Sequence, residues 1–135
     1  MLRIVFDTNV YISAALHGGL AEKALHLAAI EQITLIISDA ILAELEEKLR
    51  EKLQWSDAQI TFFIETIQGI AVLVHPAEVL HVVPDDEDDN RIIEAAVAGD
   101  AALIISFDKD LLRLRQYEQI GIIHPRELMF YGLGD

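Results

Sequence analysis

The feature that most constrains the fold of this chain is a regular alternation of short β-branched runs with longer segments of helical periodicity. The apolar runs predict strands at residues 2–6, 33–37, 71–75, 103–106 and 120–124. Parallel strands need long crossover connections, and the helical segments between these runs supply them. The sequence therefore predicts an α/β fold in which helices cover both faces of a central parallel sheet, a three-layer α/β/α arrangement.

Capping residues mark the ends of several helical segments. Helices are predicted over residues 10–16, 20–30, 39–53, 56–67, 88–98 and 109–115. Ser38 and Ser56 stand at N-cap positions, Gly99 follows the fifth helix, and Pro125 stands where a further helix would begin. Residues 80–83 are expected to be extended and to end at Pro84.

The bulk composition sets further limits. The 135 residues, just over half of them apolar, suit a single domain over residues 1–135. The absence of cysteine excludes disulfides, zinc ribbons and thiol nucleophiles, and it fits a reducing compartment. No apolar run approaches the roughly 20 residues that cross a bilayer, so we expect a cytoplasmic protein with no membrane partner. The net charge of −13 opposes nucleic-acid binding unless several of the acids bind metal.

Two aspartates directly follow predicted strands. Asp7 comes after the first strand, and Asp108 comes after the strand at 103–106. Open parallel sheets carry their sites at the carboxyl ends of the strands, so both carboxylates are expected at one rim. Taken singly, each is better explained as an N-cap or turn residue.

Asp89 lies on the apolar stripe of its own helix. It precedes Ile92, Ile93 and Ala96 at helical spacing, which places its carboxylate on the inward face of the first turn. A buried carboxylate without a partner is costly, and the helix dipole offsets only about 0.3–1 kcal/mol of that cost. A cation is therefore expected beside Asp89.

Other kinds of site fit the sequence less well. The acidic run at 85–89 is not a calcium loop, because Asn90 and Ala96 stand where glycine and a bidentate glutamate are needed. The five histidines share no metal-ligand spacing, and there is no glycine-rich phosphate loop. A receiver-like phosphoacceptor domain is the alternative reading: it shares the α/β layout and a lysine such as Lys109. Both it and an aspartyl-phosphate phosphatase would need a further acid near Asp7, where the chain has Thr8-Asn9.

Four segments together resemble the PIN-domain nucleases. They are 5–10 (VFDTNV), 38–45 (SDAILAEL), 84–91 (PDDEDDNR) and 105–112 (ISFDKDLL), and they occur in the family's order and at its spacing. The resemblance covers nearly the whole chain. It is greatest to the bacterial PIN proteins that are assigned as toxins of toxin–antitoxin pairs.

The resemblance implies a site, a cofactor and a reaction. Four acids match the catalytic and metal-binding positions of the family: Asp7, Glu44, Asp89 and Asp108. Three residues match supporting or accessory positions: Asn9, Ser106 and Asp110. The implied reaction is cleavage of single-stranded RNA with Mg²⁺ or Mn²⁺. Glu44 enters through the resemblance, because periodicity does not distinguish it from the other glutamates of its helix. Phe107 departs from the small residue that many relatives carry before the last aspartate.

This chemistry suits the residues. Phosphodiester hydrolysis needs an activated water and a clamp on the phosphate oxygens, which hard divalent cations supply, and crowded carboxylates favour binding such a cation. Eight bases are expected to contact RNA phosphates: Lys48, Arg50, Lys52, Arg91, Lys109, Arg113, Arg115 and Arg126, with Arg91 and Lys109 nearest the site. The partners implied are RNA and a small basic antitoxin protein, and a homodimer is compatible with the family. A PIN fold that binds without catalysis is a second alternative.

Overall fold

Residues 1–131 are described by the computed structural model, and their strands form one sheet. The strands are β1 (Arg3–Phe6), β2 (Thr34–Ser38), β3 (Ala71–Val74), β4 (Leu103–Ile105), β5 (Gln116–Tyr117) and β6 (Ile120–Ile123). Their order is β3-β2-β1-β4-β6-β5. Every neighbouring pair is parallel except β5 with β6, which is antiparallel. The predicted parallel sheet is confirmed, with one short antiparallel edge strand, β5, that was not predicted from the sequence.

All six predicted helices are present. They are α1 (Thr8–His17), α2 (Gly19–Ala29), α3 (Asp39–Glu51), α4 (Asp57–Ile70), α5 (Glu87–Ala98) and α6 (Lys109–Leu114). Ser38 accepts a hydrogen bond from the Ile41 amide and caps α3, and Ser56 caps α4 through a capping box with Gln59. Pro125 begins a 3₁₀ helix, Pro125–Tyr131, where an α-helix was expected. No helix in residues 1–131 is long and apolar enough to cross a membrane.

The core lies on both faces of the sheet. Ile4, Val5 and Phe6 are consecutive in β1, so their side chains alternate between the two faces, and all three are completely buried. Helices therefore cover the sheet on both sides, as expected. Helix α5 approaches β2 closely at its end: a Cβ added to Gly99 would lie 2.5 Å from the Ile36 side chain.

The extended segment before α5 does not join the sheet. Its backbone is bound by side chains of α5 instead. The Asn90 amide accepts a hydrogen bond from Val83 N (2.8 Å) and donates one to Val83 O (3.0 Å). Glu94 accepts a hydrogen bond from Leu80 N at 2.8 Å. These contacts satisfy backbone groups that a strand would pair with a neighbour, and they fix the segment that leads into α5.

Candidate metal centre

The sheet register brings Asp7 and Asp108 to the same rim. Phe6, the last residue of β1, pairs with Ile105, the last residue of β4. Asp7 follows β1 immediately, and its amide donates to Ile105 O at 2.9 Å. Asp108 lies three residues beyond β4 at the N-cap of α6. The two strands therefore end side by side, as a site at the carboxyl ends of the strands requires.

Asp89 reaches this rim from α5. The helix starts at the carboxyl edge of the sheet, because its end connects back to the start of β4. Asp86 caps the helix, accepting a hydrogen bond from the Asp89 amide at 3.0 Å. The Asp89 side chain is only 3% exposed, which confirms the prediction that it faces inward.

The three aspartates converge at one point. Asp7, Asp89 and Asp108 each offer a carboxylate oxygen, and these oxygens lie within 4.8 Å of one another. Asp89 Oδ2 is buried and has no hydrogen-bond partner among residues 1–131. A buried carboxylate oxygen without a donor is costly, and a divalent cation with oxygen ligands removes that cost. The donor set therefore fits a hard divalent cation, and we call these three residues the metal centre.

Two polar residues hold Asp7 in place. The Ser106 hydroxyl donates to Asp7 Oδ2 at 2.7 Å, and Asn9 Nδ2 donates to the same oxygen at 3.2 Å. Asp7 makes no capping hydrogen bond to α1, although it stands at the N-cap position. Its carboxylate is therefore directed into the metal centre and does not serve the helix.

Asp108 combines a capping role with its place in the metal centre. Its Oδ1 accepts a hydrogen bond from the Asp110 amide at 2.9 Å, as an N-cap does. Its own amide donates to Ser106 Oγ at 2.9 Å. Ser106 thus contacts both Asp7 and Asp108 and fixes their relative positions.

Burial and mutual repulsion disfavour the ionised forms of these acids. Burial raises the pKa of Asp7 above its ordinary value, although the hydrogen bond from Ser106 opposes the rise. Burial, together with the charges of Asp108 and Asp7, raises the pKa of Asp89 to about 8. Without a cation, part of the metal centre therefore holds a proton near neutral pH.

Glu44 lies beside the metal centre, outside the group of converging oxygens. Its Oε1 is 3.3 Å from Lys48 Nζ, which also donates to the buried Thr8 hydroxyl at 3.2 Å. Burial raises the pKa of Glu44 to about 7, with Thr8 and Lys48 opposing the rise and the neighbouring Asp88 adding to it. The structure thus brings together three of the four predicted acids and places the fourth next to them with a lysine.

The remaining predicted residues occupy several positions. The Asp110 carboxylate is exposed and pairs with Arg113 at 3.2 Å. Arg91 points away from Asp89, pairing with Glu94 at 2.9 Å and donating to Leu80 O. Lys109 is exposed in the first turn of α6, directly after Asp108. A role of these residues in catalysis or RNA binding stays a prediction.

Sequence reasoning gave no site role to Thr8, and it considered Asp86 only as an alternative to Asp89, whereas the structure shows Asp86 as the N-cap of α5. Thr8 is buried and donates to Asp7 Oδ1 at 3.4 Å. Lys48 was predicted only as one of eight phosphate contacts, although its spacing of four residues from Glu44 is a signal that would have placed it beside that acid. Phe107 packs edge-on against His124, with ring centroids 5.0 Å apart.

Comparisons with known proteins agree with this architecture. A family model described as PIN domain matches residues 3–110. The crystal structure of VapBC2 from Rickettsia felis bound to a DNA fragment from their promoter aligns with a TM-score of 0.66 and 16% identity, covering 91% of this chain and 98% of that chain. VapBC-1 from nontypeable Haemophilus influenzae gives 0.64 and 17%, with 93% and 99% covered. PAE2754 from Pyrobaculum aerophilum gives 0.65 and 15%, with 97% and 96% covered.

At these identities the structural likeness shows a shared fold. No curated protein sequence matches the chain significantly. The three-layer α/β domain brings three carboxylates together at the carboxyl edge of its sheet, and the family match covers most of the chain. The chain belongs to the PIN-domain family, whose members are nucleases. This assignment decides against the receiver-like alternative.

Proposed function

We propose that this protein is a Mg²⁺- or Mn²⁺-dependent endoribonuclease that hydrolyses phosphodiester bonds in single-stranded RNA. The observation that carries the proposal is the metal centre itself, in which three carboxylate oxygens lie within 4.8 Å of one another. One of the three residues, Asp89, has a buried oxygen with no hydrogen-bond partner in the described part of the chain. A structural role for three converging acids would leave their repulsion uncompensated.

The protein supplies a preorganised set of oxygen ligands. Asp7, Asp89 and Asp108 would hold the cation, and Glu44 stands within reach of the same region beside Thr8. When bound there, a hard divalent cation supplies a water of lowered pKa and offsets charge on the phosphate oxygens. Ser106 and Asn9 fix the Asp7 carboxylate, so the ligands need little rearrangement on binding.

Lys48 would contribute a positive charge next to the acids. Its ammonium group lowers the pKa values of both Asp7 and Glu44, which favours the ionised forms that bind metal. With the cation in place, the charge of Lys48 favours the approach of a phosphate toward an otherwise acidic rim.

We further propose that the protein is the toxin of a toxin–antitoxin pair. Two of the structural neighbours are VapBC assemblies. The net charge of −13 and the acids at the rim favour a small basic partner, whose arginine could pair with the carboxylates in place of the cation.

The nuclease proposal is tested by cleavage mapping. Labelled single-stranded RNA, the matching DNA strand and duplex RNA are incubated with the purified protein in EDTA, Mg²⁺ or Mn²⁺, alongside Asp7→Asn. We expect cleavage of the single-stranded RNA by the wild type with metal only, and none by the variant. Cleavage in verified metal-free buffer would exclude the mechanism. A folded wild type that leaves every substrate intact would favour the catalytically silent alternative.

A further inference from the structure

A groove runs beside the metal centre between α1 and α3. Its apolar floor is formed by Ile12, Leu16 and Leu53, and its walls carry His17, Lys48 and Lys52. Asn9, which donates to Asp7 at 3.2 Å, also lines it. The groove, which we call the α1–α3 groove, has a volume of about 270 Å³, and it shares Asn9 and Lys48 with the surroundings of the metal centre.

The charge of the α1–α3 groove is opposite to that of the molecule. None of the residues that line it, all within 1–131, is acidic, although the chain carries 23 acids and 10 bases. On the other side of the same two lysines, Glu44, Glu47 and Glu51 line an acidic surface. Lys48 and Lys52 thus separate an acidic surface from a groove that no acidic residue lines.

Lys48 lies in the last turn of α3, and Lys52, one turn further on, is the C-cap residue of that helix. Glu44, Lys48 and Lys52 are four residues apart, so they share one face and advance by about 6 Å each. Lys48 is held beside the acids by Glu44, whereas Lys52 is exposed and has no ion pair within the described part of the chain. A spacing of this size is close to the separation of adjacent phosphates in an extended nucleic-acid strand.

We propose that the α1–α3 groove binds the RNA strand on one side of the cleaved phosphate, with Lys48 and Lys52 contacting successive phosphates and the apolar floor receiving one base. The inference rests on the proposed nuclease function and adds the path of the substrate beside the metal centre. A base reaches such a floor only when it is unpaired and unstacked, so the groove selects single strands. A basic protein segment is a poorer occupant, because both lysines repel it.

The phosphate contacts are tested with Lys52→Gln and a matched control, Lys23→Gln. Both variants remove the positive charge of one exposed lysine, but Lys23 lies on α2 and does not line the α1–α3 groove. Binding of a labelled single-stranded RNA is followed by fluorescence anisotropy in EDTA over a range of salt concentrations. We expect Lys52→Gln to raise Kd about three- to tenfold and to lower the slope of log Kd against log salt by about 0.7, the value for one phosphate contact on a single strand. Lys23→Gln should change neither quantity.

Binding of a base to the apolar floor is tested with Leu16→Ala and with a set of RNAs, each of which carries one abasic ribose at a different position. Leu16 is 48% exposed, so its truncation leaves the core intact. At one position next to the cleaved phosphate, loss of the base should weaken binding to the wild type but not to Leu16→Ala. The proposal is overturned if the two charge variants change Kd equally. It is also overturned if, at every position, removing the base weakens binding as much for Leu16→Ala as for the wild type. Either result would favour a protein segment as the occupant of the groove. Binding is measured without cleavage, so the two proposals can fail separately. RNA that binds through Lys52 but is never cleaved would support the proposed groove and contradict the proposed nuclease function.

Discussion

The Ser106 hydroxyl lies 2.7 Å from Asp7 Oδ2 and joins two residues that are 99 positions apart in the chain. Ser106 Oγ also accepts a hydrogen bond from the Asp108 amide. One buried hydroxyl therefore sets the distance between the ligand that follows β1 and the ligand that follows β4.

Ser106→Ala is expected to weaken metal binding without preventing folding. The change removes the hydrogen bond that keeps the pKa of Asp7 from rising further, and it frees Asp7 and Asp108 to move relative to each other. Loss of a supporting residue of this kind costs about 10–100-fold in metal affinity or activity. Titration calorimetry with Mn²⁺ measures the first effect and RNA cleavage the second. Ser56→Ala, which removes a remote helix cap, is the control and should lower stability but leave metal affinity unchanged.

Asp89→Asn is expected to abolish metal-dependent cleavage and, in EDTA above about pH 8 where Asp89 is ionised, to raise the melting temperature. The neutral amide no longer repels Asp7 and Asp108, and it can donate where the carboxylate had no partner. Thermal unfolding in EDTA and in Mn²⁺ separates the two effects, since only the wild type should gain stability from metal. Glu87→Gln, an exposed change in the same helical turn, should behave like the wild type. Full cleavage by Asp89→Asn would contradict its assignment and direct attention to Asp86 or Asp88.

Metal-free stability is expected to fall as the pH rises from about 5 to about 8. The pKa of Asp89 is raised to about 8 and that of Glu44 to about 7. At a pH above the ordinary pKa values of these acids, the native protein therefore binds more protons than the unfolded chain. When the native state binds more protons, the free energy of unfolding decreases with pH and levels off above the raised pKa. A divalent cation competes with these protons, so its stabilising effect should grow over the same interval. Melting temperatures in EDTA that do not change with pH, or that rise, would contradict the pKa assignments, and Asp89→Asn should flatten the dependence.

A small basic protein from the native host is expected to bind the acidic rim. Charge complementarity to a chain of net charge −13 gives an association that weakens with salt, and an arginine could pair with two oxygens of a carboxylate. The measurement is a pull-down from the host, eluted at high salt, with the Asp7→Asn protein as a second bait. Recovery of no such protein, together with harmless overexpression of an active enzyme, would argue for a nuclease without an antitoxin.

Much of the fold was predictable because its elements are regular and have local signals. Two helices begin after Ser38 and Ser56 and one ends before Gly99, as expected. The strand ends also bring Asp7 and Asp108 to one rim of the sheet. Strand β5 was missed because two residues cannot show a period, and its pairing depends on β6 alone.

The surroundings of the site were harder to predict because they depend on how elements pack. Arg91 was expected near the rim, since it follows Asp89 closely in sequence. Two residues advance about 200° around a helix, and the Arg91 guanidinium contacts Glu94 and the Leu80 carbonyl instead. Glu44 could not be separated from its neighbours, since its distinction is the contact of α3 with Thr8 and Asp88.

The insertion of β4 between β1 and β6 has a consequence for how the chain is made. Strands β1, β2 and β3 all precede β4 in sequence, so half of the sheet can pair while β4 and Asp108 are still being synthesised. The mutually repelling acids meet only when β4 docks on β1, after apolar contacts are available to oppose the repulsion. In an enzyme that acts as proposed, a nascent chain is therefore inert toward the messenger and ribosomal RNA around it until synthesis has passed residue 108.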